Sequence, residues 1–264
     1  MNRLQHDDWA VGVRRLTKAS ELVPGSVTES SRKSTHRFFI PMHYEKNYAY
    51  PLLVWLHGPG GSEAEIAHVM PHVSLRNYVG VSPRGTVKNE TVSRVSRDSY
   101  TWDQSASSVE NALEDVLECI DSAKRRFNIA DDRVFLVGND VGGTMALRLA
   151  LMAPKCFGGA ISLGGALPTT NQPLSGIESA RSMPIMMAHC RDSHIYDTDA
   201  VCADLRLLHS AGMTVCLRQY PCEQEVTTKM LADVNEWMME RVTGSQSSNY
   251  EIDDPTHLRL EDHN

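Results

Sequence analysis

Asp140 stands at the centre of Gly138-Asn139-Asp140-Val141-Gly142, with Gly143 following at once, in the longer stretch "VFLVGNDVGGTMALRLAL". An apolar β-prone run there passes through a glycine-spaced turn into an amphipathic one, so the carboxyl is expected at the tip between a strand and a helix. A carboxylate in that place has two chemistries open to it. It can attack an sp³ carbon, provided a base then activates water to hydrolyse the ester formed. Alternatively it accepts hydrogen bonds from the helix's first N–H groups, its charge stabilised by the dipole by about 0.3–1 kcal/mol. A second set of reactive types is His189, Cys190, Asp192, His194 and Cys222. A thiol and an imidazole can form a nucleophile pair, and His, Asp and Cys can bind a metal. Their spacing follows neither pattern. The plainer expectation is that Cys190 packs, His189 holds a turn and His194 is an exposed loop residue.

The elements that must position these groups alternate along the chain. "HRFFIPM", "PLLVWLH", "YVGVSPR", "RVFLVG", "GGAISLGG", "PIMMAHC" and "TVCLRQYP" read as strands. "EAEIAHVMPHV", "SSVENALEDVLECIDSAKRRFN", "VGGTMALRLALMA", "DTDAVCADLRLLHSAG" and "TTKMLADVNEWMMERV" read as helices. Alternation of this kind implies right-handed crossovers and a mostly parallel sheet covered on both faces. In the second helix, Val109, Ala112, Leu113, Val116, Leu117 and Ile120 recur at three and four residues, giving one stripe to lay on the sheet. Sheets of this type place ligands at the carboxyl ends of their strands, which directs attention to the turns after Leu56, Val137, Leu163, Ala188 and Tyr220.

Composition narrows the function classes. The 264 residues suit one α/β domain, expected over 35–242, with a polar N-terminal extension 1–34 and a polar C-terminal tail 243–264. The net charge of −7, from 33 acids against 26 bases and with no basic stripe, argues against nucleic acid as a partner. No apolar run approaches the roughly 18 residues of a membrane span. The start lacks the apolar core of a secretory signal, so a cytoplasmic location is expected. The six cysteines form no C-x-x-C pair, which points to reduced thiols rather than a disulfide frame or a zinc site, and no cofactor is implied.

Four segments, "LHGPGGSE", "VSPRG" followed by "YTWDQ", "GNDVGGTMALRLAL" and "PIMMAHCRDSHIY" leading into a helix and "LRQYP", together resemble the carboxylesterase/phospholipase branch of the α/β-hydrolase superfamily, which includes acyl-protein thioesterases. The likeness runs from about Thr35 to Met238. It implies an α/β-hydrolase fold of seven or eight mainly parallel strands, and a nucleophile elbow at Gly138, Asn139, Asp140, Gly142 and Gly143. It also implies an oxyanion loop at His57, Gly58 and Pro59, completed by the Val141 N–H. The residues at the implied catalytic positions depart from the family. Asp140 stands where serine is expected and Gln224 where the base histidine is expected. The acid position falls on Ser193, or on Asp192 after a one-residue shift.

Asp140 has no hydroxyl, an amide cannot take a proton near pH 7, and Pro59 has no N–H to offer an oxyanion. Between His209 and His257 the chain has no histidine. The expectation is a non-catalytic relative, a pseudoenzyme that binds a small acyl-like ligand or a protein partner. The alternative is a hydrolase with Asp140 as nucleophile, as in haloalkane dehalogenases and epoxide hydrolases, which look like α/β-hydrolases with aspartate at this position, or with a base supplied by His194 or the C-terminal tail.

Overall fold

The computed structural model describes residues 26–30, 35–88, 99–169 and 177–244. Strand β3 (Tyr50–Leu56) is buried at every position. Its side chains alternate, Leu52, Val54 and Leu56 toward one apolar layer and Leu53 and Trp55 toward the other. A strand covered on both sides has no polar face, so it reads as the unbroken apolar run "PLLVWL". Beside it lie β4 (Val79–Pro83) and β7 (Ile129–Asn139), both parallel to it. Then follow β8 (Gly159–Leu163), β9 (Ile185–Cys190) and β10 (Val215–Tyr220), also parallel.

On the other edge β2 (Thr35–Phe39) pairs antiparallel with β4, and β1 (Ser26–Ser30) antiparallel with β2. The eight strands run β1-β2-β4-β3-β7-β8-β9-β10. Five residues of the stretch read from sequence as an N-terminal extension are therefore strand. Their sequence, SVTES, carries no apolar alternation from which a strand could be read. A separate two-stranded ribbon, β5 (Val87–Lys88) with β6 (Tyr100–Thr101), was also invisible to periodicity.

One face of the sheet carries α2 (Ala106–Arg126), α3 (Val141–Met152), the short α4 (Ile177–Ala180) and α5 (Thr198–Ser210). The other carries α1 (Ile66–Val73) and α6 (Thr228–Thr243), which pack on each other. In α2 the expected stripe is present: Val109, Ala112, Val116 and Ile120 are buried and Leu113 and Leu117 partly so. Asp197 caps α5 through the Ala200 N–H at 2.8 Å, and Thr227 caps α6 through the Met230 N–H at 3.2 Å. No described helix is long and apolar enough to cross a membrane.

Helix α3 is buried from Gly142 through to Leu151 apart from Thr144, and glycine lets it sit so deep. A Cβ on Gly138 would lie 2.1 Å from the Gly142 carbonyl oxygen, and one on Gly142 would lie 2.2 Å from that of Leu56. These are backbone-to-backbone contacts, which no rotamer change relieves. We expect Gly142→Ala to cost about 3 kcal/mol or more, measured by urea denaturation, or to prevent folding. Gly244→Ala, at the αL end of α6 with open space around it, should cost only about 1 kcal/mol. Equal losses at the two positions would contradict this account.

Candidate functional site

Asp140 lies between β7 and α3 with φ 50° and ψ −118°. Among the described residues only His43 shares a positive φ without being glycine. Such backbone costs of order 1–3 kcal/mol and persists only where its surroundings impose it. Here the Asp140 N–H donates to Leu163 O at 2.8 Å and its carbonyl accepts from Thr144 N–H at 3.0 Å, so both sides of the peptide are pinned.

The side chain makes no cap hydrogen bond to α3. This corrects the expectation that it accepts from several of the helix's first N–H groups, because a positive φ projects Cβ out of the turn rather than along the helix axis. The Gln224 amide and the Val141 N–H lie near the carboxylate and favour its charged form. Burial pushes its pKa above the ordinary carboxylate value, and those two donors only partly offset it.

Gln224 comes from the segment after β10 and Ser193 from the segment after β9. The Ser193 hydroxyl donates to Gln224 Oε1 at 2.6 Å. Ser193 Oγ in turn accepts from the Tyr196 N–H at 3.1 Å and the Ile195 N–H at 3.3 Å. With Oε1 occupied as an acceptor, the Gln224 NH₂ donates to Gly164 O at 3.5 Å, and the amide lies near enough to Asp140 to favour its charged form. Ser193 and Gln224 thus form one hydrogen-bonded pair beside Asp140. No imidazole is among the partners of the Asp140 carboxylate in the described residues. Asp192 does not join them: it is exposed and paired with Arg191 at 3.1 Å.

Of the N–H groups after Gly58 in the loop that follows β3, one is missing and two are spent within the fold. Pro59 has no N–H, the Gly60 N–H donates to Tyr100 O at 2.9 Å, and the Gly61 N–H donates to Gly58 O at 3.1 Å. His57 is a strut beneath it. Its Nε2 accepts from the Gly85 N–H at 2.9 Å, which leaves the proton on Nδ1, where it meets Gly58 O at 2.9 Å. Its carbonyl accepts from the Trp102 indole at 3.0 Å. Burial lowers its pKa to about 4, so the ring is neutral, and both nitrogens are spent. Gly58 is held close to the elbow, since a Cβ there would lie 2.7 Å from Asn139 Nδ2.

Of the other candidates, His189 is buried, with its pKa lowered by desolvation and its Nε2 3.5 Å from Thr198 Oγ1. His194 is exposed. Cys190 and Cys222 are buried and touch each other. Among the described residues no group of three or more His, Cys, Asp or Glu is placed to hold a metal ion. The C-terminal tail, the other expected source of a base, lies outside the described residues.

Sequence reasoning missed Glu65. Its Oε2 is buried without a hydrogen-bond partner, and the Trp55 indole and the Gly58 backbone face it without good alignment. Burial raises its pKa to about 7. It ends a 3-10 turn, Glu63–Glu65, ahead of α1, and so falls off the 3.6-residue register by which apolar faces are read.

A family model described as Phospholipase/Carboxylesterase matches residues 42–240. The chain belongs to that family. Carboxylesterase SOBER1 of Arabidopsis thaliana is 32% identical over 119 residues, which is 44% of this chain and 52% of that protein. A probable SOBER1-like carboxylesterase of the same plant is 28% identical over 46% of the chain and 47% of its own length. The alignments thus span about half the length of these curated relatives. The crystal structure of SOBER1 superposes with a TM-score of 0.62 at 25% identity, covering 74% of this chain and 100% of that one. A carboxylesterase structure from Mesorhizobium loti gives 0.66 at 18% identity over 81% of this chain and 99% of that one. The α/β-hydrolase fold is shared with both.

Glu65 and His57 give opposite pH dependences. The folded Glu65 pKa of about 7 exceeds its ordinary 4.5, so its stabilising effect is complete below pH 4.5 and is lost as pH rises through 7. The folded His57 pKa of about 4 lies below 6.5, so its contribution is present above 6.5 and lost as pH falls through 4. Urea denaturation at pH 5 and pH 8 should show Glu65→Gln gaining on the unmodified protein with rising pH, by on the order of 3 kcal/mol at most. Parallel stability–pH curves for the two proteins would refute the buried-carboxyl assignment.

Proposed function

We propose that this chain is a catalytically degenerate member of its family, which binds a small acyl-like ligand at the strand ends without cleaving it. The observation that supports the reading is the Ser193–Gln224 hydrogen bond beside Asp140, which sets an amide where a base would stand. Ester cleavage needs a hydroxyl that loses its proton on attack, a base to take that proton, and donors for the oxyanion. In this chain a carboxylate holds the nucleophile position and an amide the base position. The Val141 N–H faces Asp140's own carboxylate, and the Gly60 and Gly61 N–H groups are committed within the fold. Losing one oxyanion donor costs about 10²–10³ in rate, and losing the triad about 10⁶. The two overlap rather than multiply, and either is severe. The relatives are named carboxylesterases, so the proposed loss is specific to the residues at this chain's site. The free cysteines fit a reducing, cytoplasmic setting.

A nucleophilic Asp140 is the competing reading, favoured by its strained, partly exposed place at the elbow. An ester on Asp140 would need activated water, and Gln224 cannot provide it.

The purified protein is expected not to cleave short-chain p-nitrophenyl esters above a buffer control, and not to react with fluorophosphonate probes. Asp140→Ser alone should recover no turnover. With Gln224→His added, a trace returns at most, limited by Pro59. A non-hydrolysable acyl amide should raise the Tm of the unmodified protein. Ester turnover by the unmodified protein that Asp140→Asn abolishes would replace this reading with the aspartate mechanism.

A further inference from the structure

Cys190 is the last residue of β9, and Cys222 lies two residues beyond the end of β10. Their Sγ atoms are 2.9 Å apart, both thiols are free, and the residues are 2% and 6% exposed. That separation is within about 1 Å of a disulfide bond length. The backbone holds them there. The Arg191 N–H donates to Tyr220 O at 2.8 Å and the Asp192 N–H to Cys222 O at 3.0 Å, so the two segments are laced together on both sides of the thiols. The pair also sits directly under the Ser193–Gln224 hydrogen bond. The Ser193 N–H donates to Cys190 O at 3.1 Å, and Gln224 follows Cys222 by two residues.

We propose that Cys190 and Cys222 form a reversible dithiol–disulfide pair whose oxidation stiffens the loop that carries Ser193. With hydrogen peroxide as oxidant, the Cys222 thiolate attacks one peroxide oxygen. The O–O bond breaks, hydroxide leaves, and a sulfenic acid forms on Cys222. Cys190 then attacks that sulfur, the S–S bond forms, and the S–O bond breaks with release of water once the Cys190 proton is taken up. Overall two thiols and one peroxide give one disulfide and two waters. Cys222 is the attacking sulfur. It is the more exposed of the two, 6% against 2%, and burial raises both thiols. The same burial makes both oxidation and reduction of the pair slow. The pair stands on its own geometry and does not depend on the ligand-binding reading.

The full-length protein is treated with millimolar hydrogen peroxide, unfolded in an alkylating agent, digested and weighed. A cross-linked peptide joining Cys190 to Cys222, lighter by two hydrogens and split by dithiothreitol, is expected. It should be missing from Cys190→Ser and Cys222→Ser, while Cys156→Ser, at an exposed thiol, leaves it intact. Hydrogen exchange of the Ile195 and Tyr196 amides, which donate to Ser193 Oγ, should slow several-fold in the oxidised protein and recover on reduction. The redox pair is overturned if Cys190 and Cys222 both stay alkylatable under conditions that oxidise Cys156, or if Cys222 proceeds to a sulfinic acid without a link. Its coupling to Ser193 is overturned if the link forms and exchange at those amides is unchanged. Both readouts use the unmodified protein, so poor folding of a variant does not blunt them.

Discussion

Everything at the strand ends depends on how closely three pieces of main chain approach one another: the end of β7 at Gly138, the first turn of α3 at Gly142, and the carbonyls of Leu56 and His57 at the end of β3. Contacts of 2.1–2.5 Å to a hypothetical Cβ leave room for hydrogen alone. The approach sinks α3 into the core, forces the residue between the glycines into a left-handed conformation, and presents that residue's side chain beside the loop after β3. Hydrogen bonds from Asp140 N–H and to its carbonyl then hold the strain in place. The geometry is indifferent to which side chain occupies the tip, so the chemistry there can change while the fold does not.

The tip residue decides the polarity of what surrounds it. In the family's usual arrangement, as the resemblance implies it, charge resides at the acid position and the nucleophile is neutral. In this chain the negative end has moved to the elbow and a neutral hydroxyl stands at the acid position. The groups between them are oriented to match: backbone N–H groups donate to Ser193 Oγ and the Ser193 O–H to the Gln224 carbonyl, with the Gln224 amide beside Asp140. Placing histidine at 224 without changing Asp140 would set an imidazole between a carboxylate and a hydroxyl, the reverse of what nucleophile activation needs.

The sheet, its covering helices and the elbow were legible because each rests on a local signal: unbroken apolar strands, a stripe at three and four residues, glycines at fixed offsets. The pairing of Gln224 with Ser193 rather than with Asp192 followed from family resemblance and the count after β9, not from any property of those residues. Glu65 escaped because its burial arises where a 3-10 turn folds under the loop of Gly58 to Gly61, a tertiary fact with no period. The edge strand β1 escaped for a related reason, since a polar strand at a sheet's margin has the composition of a tail. The thiol contact was likewise hidden, because 32 residues separate partners that only the parallel register of β9 and β10 brings together.

The position of the Asp140 carboxylate against the Val141 N–H has a consequence for any molecule that enters. An esterase releases a carboxylic acid, and the departing carboxylate passes through the place where the elbow N–H is offered. Here the chain places a carboxylate of its own beside that N–H. A tethered group competes at an effective concentration no freely diffusing acid or carbonyl matches. On the proposed reading, an incoming ligand is held by its apolar portion and brings hydrogen-bond donors to Asp140.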